Sequence, residues 1–120
     1  YAQITQKGGL DLCILELGKN GHLGLNEPAE ALEPSTHIAL LDEQTRCHDM
    51  LKTAGLPVKQ GITLGLKEIL SARQILFLVA GAGKQEAFTQ LLSRKITTQL
   101  PSSFLWLHQN VTCAYDAGEY

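Results

Sequence analysis

The sequence predicts an α/β fold, a parallel sheet with flanking helices. Three observations predict it. Short apolar runs recur at Leu12–Leu15, Thr36–Leu41 and Ile75–Ala80, the pattern of strands buried in a parallel sheet. Segments of helical length separate them, most clearly Lys84–Lys95, with Ala87, Leu91 and Leu92 along one face. Two of the runs end in glycine-rich turns, Gly18–Gly21 and Gly81–Gly83, which in a parallel arrangement open at one sheet edge. Open α/β sheets bind ligands at that carboxyl edge. Strands alternating with helices also imply right-handed crossovers.

The elements follow in order. Tyr1–Lys7 is polar and reads as irregular, and Gly8-Gly9 breaks any regular element. Leu10–Leu17 is the first strand, followed by a loop through Pro28 and an acidic connector, Ala29–Pro34. Thr36–Leu41 is the second strand. Asp42 is a candidate N-cap for a helix Glu43–Ala54, with Thr45 where a full capping box has Glu. Gly55 suits the position after that helix, and Pro57 bars its continuation. Gly61–Leu66 is a short segment leading into a helix at Leu66–Ser71. Ile75–Ala80 is a central parallel strand. Pro101 ends the next connector, Ser103–Leu107 and Val111–Tyr115 are the last strand-like runs, and Asp116–Tyr120 reads as a frayed tail.

Composition narrows the function. The 120 residues suffice for one domain of ordinary size, and 44% hydrophobic content suits a globular core. A net charge of -2 and a pI near 6.1 give no reason to expect nucleic acid or an anionic membrane as partner. No apolar run approaches the roughly 20 residues of a membrane span. Cys13, Cys47 and Cys113 are widely spaced, forming neither a metal-type pair nor an even disulfide framework. Cys13 and Cys113 lie in apolar runs and read as small buried hydrophobes. Reduced thiols and a cytoplasmic location are the expectation. A domain seldom opens on a strand that ends in its own site loop. The expectation is therefore a single partial domain, 1–120, with preceding βα units outside it.

The chemistry concentrates in Leu15–Pro28. Gly18 and Gly21 bend the chain, and glycine tolerates both positive φ and close approach by a ligand. His22 and Glu27 follow at the sheet edge, and imidazole suits proton transfer near neutral pH. The plainer reading is a polar loop residue after a common turn. The second turn leads into a helix beginning at Lys84, whose charge adds to that of a helix N-terminus and makes a phosphate seat. The plainer reading there is a tight turn with a solvated Lys. Gly-Ala-Gly-Lys lacks the later Gly and Ser/Thr of nucleotide-binding loops.

Gly18-Lys19-Asn20-Gly21-His22 followed by Asn26-Glu27-Pro28 resembles the signature of the amino-sugar-phosphate deaminases. These belong to the glucosamine-6-phosphate deaminase and 6-phosphogluconolactonase superfamily. The Asn-Glu-Pro ending separates them from the lactonases. Three regions look most like the galactosamine-6-phosphate deaminase/isomerase branch: Gly18–Pro28, Met50–Gly55 with Gly61–Lys67, and Ser103–His108. The resemblance runs from about Gly8 to Cys113 and covers only the C-terminal half of a family domain. It implies a Rossmann-like layered fold. It also implies isomerisation coupled to deamination, in which a galactosamine 6-phosphate becomes tagatose 6-phosphate and ammonia without metal or organic cofactor. His22 would move a proton to or from the sugar ring oxygen, with Glu27 in relay, and Lys84 would bind the phosphate. Asn20 matches a position that is Asp or Asn in the family. Asn orients an imidazole by hydrogen bonding but offers imidazolium no charge.

The sequence also departs from the family pattern. The family's base and main phosphate loop lie in the N-terminal half, so this fragment is expected to be inactive alone. Glu16 stands where the family has Gly, placing a negative charge beside an anionic substrate. A phosphate-gripping Arg is replaced by Leu51, with Lys52 adjacent as a point charge without the Arg fork. A solvated helix Lys is the plainer reading of Lys52. His37, His48, Asp42, Glu43 and Asp49 read as structural or surface groups, Phe104 and Trp106 as core, and His108 as structural. The alternatives are a glucosamine-6-phosphate deaminase and a non-catalytic sugar-phosphate-binding protein, with a lactone hydrolase disfavoured by Asn26-Glu27-Pro28. The partner is a small-molecule sugar phosphate. A half-domain that exposes sheet edge and apolar surface invites a homo-oligomer.

Overall fold

Two parallel strand pairings set the frame. The computed structural model describes residues 1–41 and 58–120. In chain order it has a helical turn α1 (Ala2–Gln6), strands β1 (Leu12–Glu16), β2 (His37–Leu40) and β3 (Gln60–Thr63), helix α2 (Leu66–Leu70), strand β4 (Gln74–Val79), helix α3 (Gln85–Leu92), a 3-10 helix (Pro101–Leu107) and strand β5 (Val111–Tyr115). β4 lies between β1 and β5 in a three-stranded sheet, parallel to both. Leu12 pairs with Gln74 and Glu16 with Leu78, so β1 and β4 end at the same edge. The fold is α/β with a parallel sheet and flanking helices, as the apolar runs predict.

Alternation along the strands decides which face is covered. Cys13 on β1 and Ile75, Phe77 and Val79 on β4 are buried, and they join Leu66 and Ile69 of α2. Ala87, Phe88 and Leu91 of α3 and Leu105 of the 3-10 helix belong to the same core, as do Leu17, Leu23, Ala72 and Leu100. Burying such side chains contributes roughly 1.5–3 kcal/mol each. On the opposite face Leu12 and Ile14 are exposed. Ile38, Leu40 and Ile62, on the second sheet, are exposed too.

Several elements differ from the sequence reading. Thr36–Leu41 does not join the parallel sheet; β2 pairs antiparallel with β3, Ile38 opposite Ile62. β3 escapes notice in the sequence because Gly61 interrupts its strand pattern. Ser103–Leu107 is not a strand. Pro101 sits at the first helical position, where its fixed φ favours a helical start, and Ser103 Oγ accepts from Thr97 N at 2.9 Å. Trp106 is accordingly exposed rather than core, with its Nε1 donating to Leu91 O at 2.8 Å and the Arg94 guanidinium 5.1 Å over its ring. Tyr1–Lys7 is not wholly irregular, since α1 forms a turn of helix there. The long helix begins at Gln85 and ends at Leu92, because Arg94 turns the chain into positive φ.

The tail is docked rather than frayed. Asp116 N donates to Val79 O at 3.1 Å, and the Tyr120 ring meets Phe88 edge-on at 5.4 Å. Cys13 is buried as expected, but Cys113 is exposed, because β5 is an edge strand. His108 is structural: its Nε2 bonds Ala72 O at 2.8 Å and its Nδ1 accepts from Asn110 N at 3.0 Å. The expected helix Glu43–Ala54, with Asp42, Cys47, His48, Asp49, Leu51 and Lys52, lies outside the described residues.

Candidate active site

The loop after β1 closes on itself before it reaches the acid–base groups. Gly21 N donates to Gly18 O at 2.9 Å, and Gly18 N donates to His22 O at 3.2 Å. Gly21 has a φ of +87°, and a Cβ there would lie 2.2 Å from Leu100 Cδ1. A Cβ on Gly18 would lie 2.1 Å from His22 Cδ2. The imidazole therefore rests on bare backbone, and no side chain fits at position 18.

Asn20, His22 and Glu27 come together on this loop. Asn20 Nδ2 donates to Glu27 Oε2 at 2.7 Å, and the same oxygen faces His22 Nδ1 at 3.3 Å. Asn20 Oδ1 accepts from His22 N at 3.2 Å. The carboxylate thus favours the tautomer with a proton on Nδ1, which leaves Nε2 with its lone pair. The His22 side chain is 25% exposed, and its Cδ2–Nε2 edge lies over the Gly18 backbone. Such a ring can take a proton from one oxygen and return it to another.

Asn26 fixes the far side of the loop. It is buried, and its Nδ2 donates to Leu23 O and to Leu64 O, each at 2.8 Å. Leu25 N donates to Thr63 Oγ1 at 3.1 Å. These bonds tie the loop to the stretch after β3. Asn26 stands out in the sequence only as part of a motif, and the anchoring roles of Thr63 and Leu64 leave no local signal.

The second glycine turn follows β4 at the same edge. Lys84 caps α3, and its ammonium does not stand open: Nζ donates to Glu16 Oε1 at the end of β1. The Lys84 side chain is 10% exposed and that of Glu16 63%. Lys19 lies over Gly83, joining the two turns. Lys19, Asn20, Gly83, Glu86, Ala87 and Gln90 line a cleft of about 490 Å³. The Tyr120 hydroxyl donates to Gly81 O, and Gln85 Nε2 donates to Glu119 O at 2.6 Å, so the tail packs beside the turn. Among the described residues no group of three His, Cys, Asp or Glu converges as a metal site. Nor is any helix there long and apolar enough to cross a membrane.

Residues 1–114 match the family model of glucosamine-6-phosphate isomerases/6-phosphogluconolactonase. The chain belongs to that family. Within it, the chain is 63% identical over 110 residues to "Putative deaminase AgaI" of Escherichia coli strain K12, covering 92% of this chain and 44% of that protein. It is 38% identical over 116 residues to the glucosamine-6-phosphate deaminase of Oceanobacillus iheyensis, covering 95% of this chain and 46% of that protein. The structure of a monomeric glucosamine-6-phosphate deaminase superposes with a TM-score of 0.83 at 36% identity, covering 97% of this chain and 49% of that one. The chain spans about half the length of these relatives.

Proposed function

We propose that the chain is the C-terminal half of a galactosamine-6-phosphate deaminase/isomerase. One observation carries the reading: a single carboxylate oxygen of Glu27 holds both the Asn20 amide and His22 Nδ1, so that His22 Nε2 is the ring nitrogen Glu27 does not engage, on the loop that follows β1. In the proposed reaction Nε2 takes the proton of the anomeric hydroxyl and delivers it to the ring oxygen, which opens the aldose. A base then removes the C2 proton, the enolamine is protonated at C1, and water hydrolyses the resulting C2 imine. The products are tagatose 6-phosphate and ammonia. Within this chain Glu27 and Asn20 hold the imidazole, Gly18 and Gly21 shape its seat, and Lys84 receives the phosphate, with Lys52 as a second cation. The base belongs to the other half of the fold, so the 120 residues alone are catalytically incomplete.

Identity of 63% to a protein named as a deaminase supports the reaction class. The galactosamine preference rests on the resemblance of Gly18–Pro28 and the two later regions. Glucosamine 6-phosphate is the second reading, favoured by the named activity of the other relatives. Because the two sugars differ only at C4, rates of ammonia release from each discriminate them, and a higher rate with glucosamine 6-phosphate overturns the first reading. Release from neither, with sugar-phosphate binding retained when the other half of the fold is present, would instead favour a non-catalytic binding protein. A cytoplasmic location belongs to the same proposal, and fractionation of the native protein tests it. The exposed Ile14, Ile38, Leu40 and Ile62 make self-association the expected behaviour of the isolated chain. A single concentration-independent monomer in sedimentation would contradict that.

A further inference from the structure

The ion pair at the second glycine turn is lopsided. Lys84 is held: its side chain is buried, its backbone caps α3, and Phe88 N donates to its carbonyl at 2.9 Å. Glu16 is loose: 63% of its side chain faces solvent, and it meets the Lys84 ammonium through Oε1. A buried ammonium stripped of its counter-charge is costly, whereas an exposed carboxylate returns to water cheaply. The pair therefore opens by movement of Glu16, and it opens most readily when another anion takes its place.

We propose that Glu16 is a specificity-determining residue, an internal anion that a substrate phosphate must displace from Lys84. This deepens the proposed function and rests on its reading of Lys84 as the phosphate seat. Register and topology make the arrangement possible. β1 and β4 run parallel with Glu16 opposite Leu78, so the last residue of β1 lies beside the strand that leads into the Gly81–Gly83 turn and Lys84. Leu17 N donates to Leu78 O at 2.9 Å and extends that alignment one residue further. The carboxylate thus stands where an anion bound to Lys84 would stand. It screens the cation against weak or adventitious anions and lowers the affinity of the phosphate that does bind.

The test is a titration of the 120-residue chain with inorganic phosphate, read by calorimetry and by amide NMR shifts of Gly83, Lys84 and Gln85. The variants are Glu16→Gln, Glu16→Gly, Lys84→Met and the double variant Glu16→Gln with Lys84→Met. Glu16→Gln is close in shape at an exposed position, and Glu16→Gly gives a second route to the same charge removal. The expected result is at least fivefold tighter phosphate binding in both Glu16 variants, with shifts at the named amides and the gain erased in the double variant. Binding that is unchanged in both Glu16 variants but lost in Lys84→Met overturns the role of Glu16 and leaves Lys84 as the seat. Binding unchanged in Lys84→Met overturns both. No detectable binding by any variant also overturns the proposal.

Discussion

Glu27 faces His22 across 3.3 Å and binds the Asn20 amide through the same oxygen. That one contact fixes which imidazole nitrogen is left for chemistry. Glu27→Gln replaces a charged acceptor with an amide, which holds imidazolium less well and presents an N–H to partners that need an acceptor. In the assembled enzyme the expected loss in kcat is about 10²-fold, the scale of a displaced acid–base group. Steady-state ammonia release checks it, and a kcat within twofold of the parent would contradict the relay.

Gly18 acts through the same ring. With a Cβ 2.1 Å from His22 Cδ2, Gly18→Ala must push the imidazole off its seat. The expected cost is about 1–3 kcal/mol, as for other forced overpacking. Urea unfolding should show the lower midpoint, and the His22 ring resonances should shift. A parent-like midpoint with unmoved ring resonances would show that the seat is not as tight as described.

Asn26 holds the loop by two donated bonds. Asn26→Ala leaves the carbonyls of Leu23 and Leu64 without that donor in a buried setting, at a cost of about 2–3 kcal/mol. Asn26→Asp should be worse, since it aims a carboxylate at two carbonyl oxygens. Paired urea melts check the order of the two variants, and an aspartate variant as stable as the parent would be inconsistent with the bonding described.

Much of the fold is legible in short-range pattern, and the remainder depends on contacts between distant residues. β1, β4 and β5 announce themselves as apolar runs, and the two turns as glycines at their ends. The partner of β2 is not legible, because Gly61 hides β3. Alternation of Phe104 and Trp106 mimics a strand where Pro101 starts a 3-10 helix. Asn20, His22 and Glu27 are readable together because one loop carries them. Glu16 and Lys84 are each conspicuous alone, but 68 positions separate them, and only the parallel register of β1 and β4 brings them into contact. The docked tail depends in the same way on Phe88 meeting Tyr120.

The cysteines give a prediction about alkaline behaviour. Burial pushes the Cys13 thiol above its ordinary 9.0. The folded chain therefore keeps a proton that the unfolded chain loses, and this contribution to stability is present below about pH 9 and declines as pH rises through the folded value. Partial burial raises the Cys113 thiol as well, so exposure rather than acidity separates the two. Under native conditions iodoacetamide should label Cys113 and spare Cys13 until the chain unfolds, as read by peptide mass spectrometry. Labelling of Cys13 at the rate of Cys113 would place it outside the core.

The most direct test of the central claim is ammonia release from galactosamine 6-phosphate. The chain is assayed alone, then joined to the upstream half of the Escherichia coli relative, with and without His22→Asn. No release by the 120 residues alone, release by the joined protein, and a loss of at least about 10²-fold with His22→Asn are expected. Release by the chain alone, or an undiminished rate in the His22 variant, would contradict it.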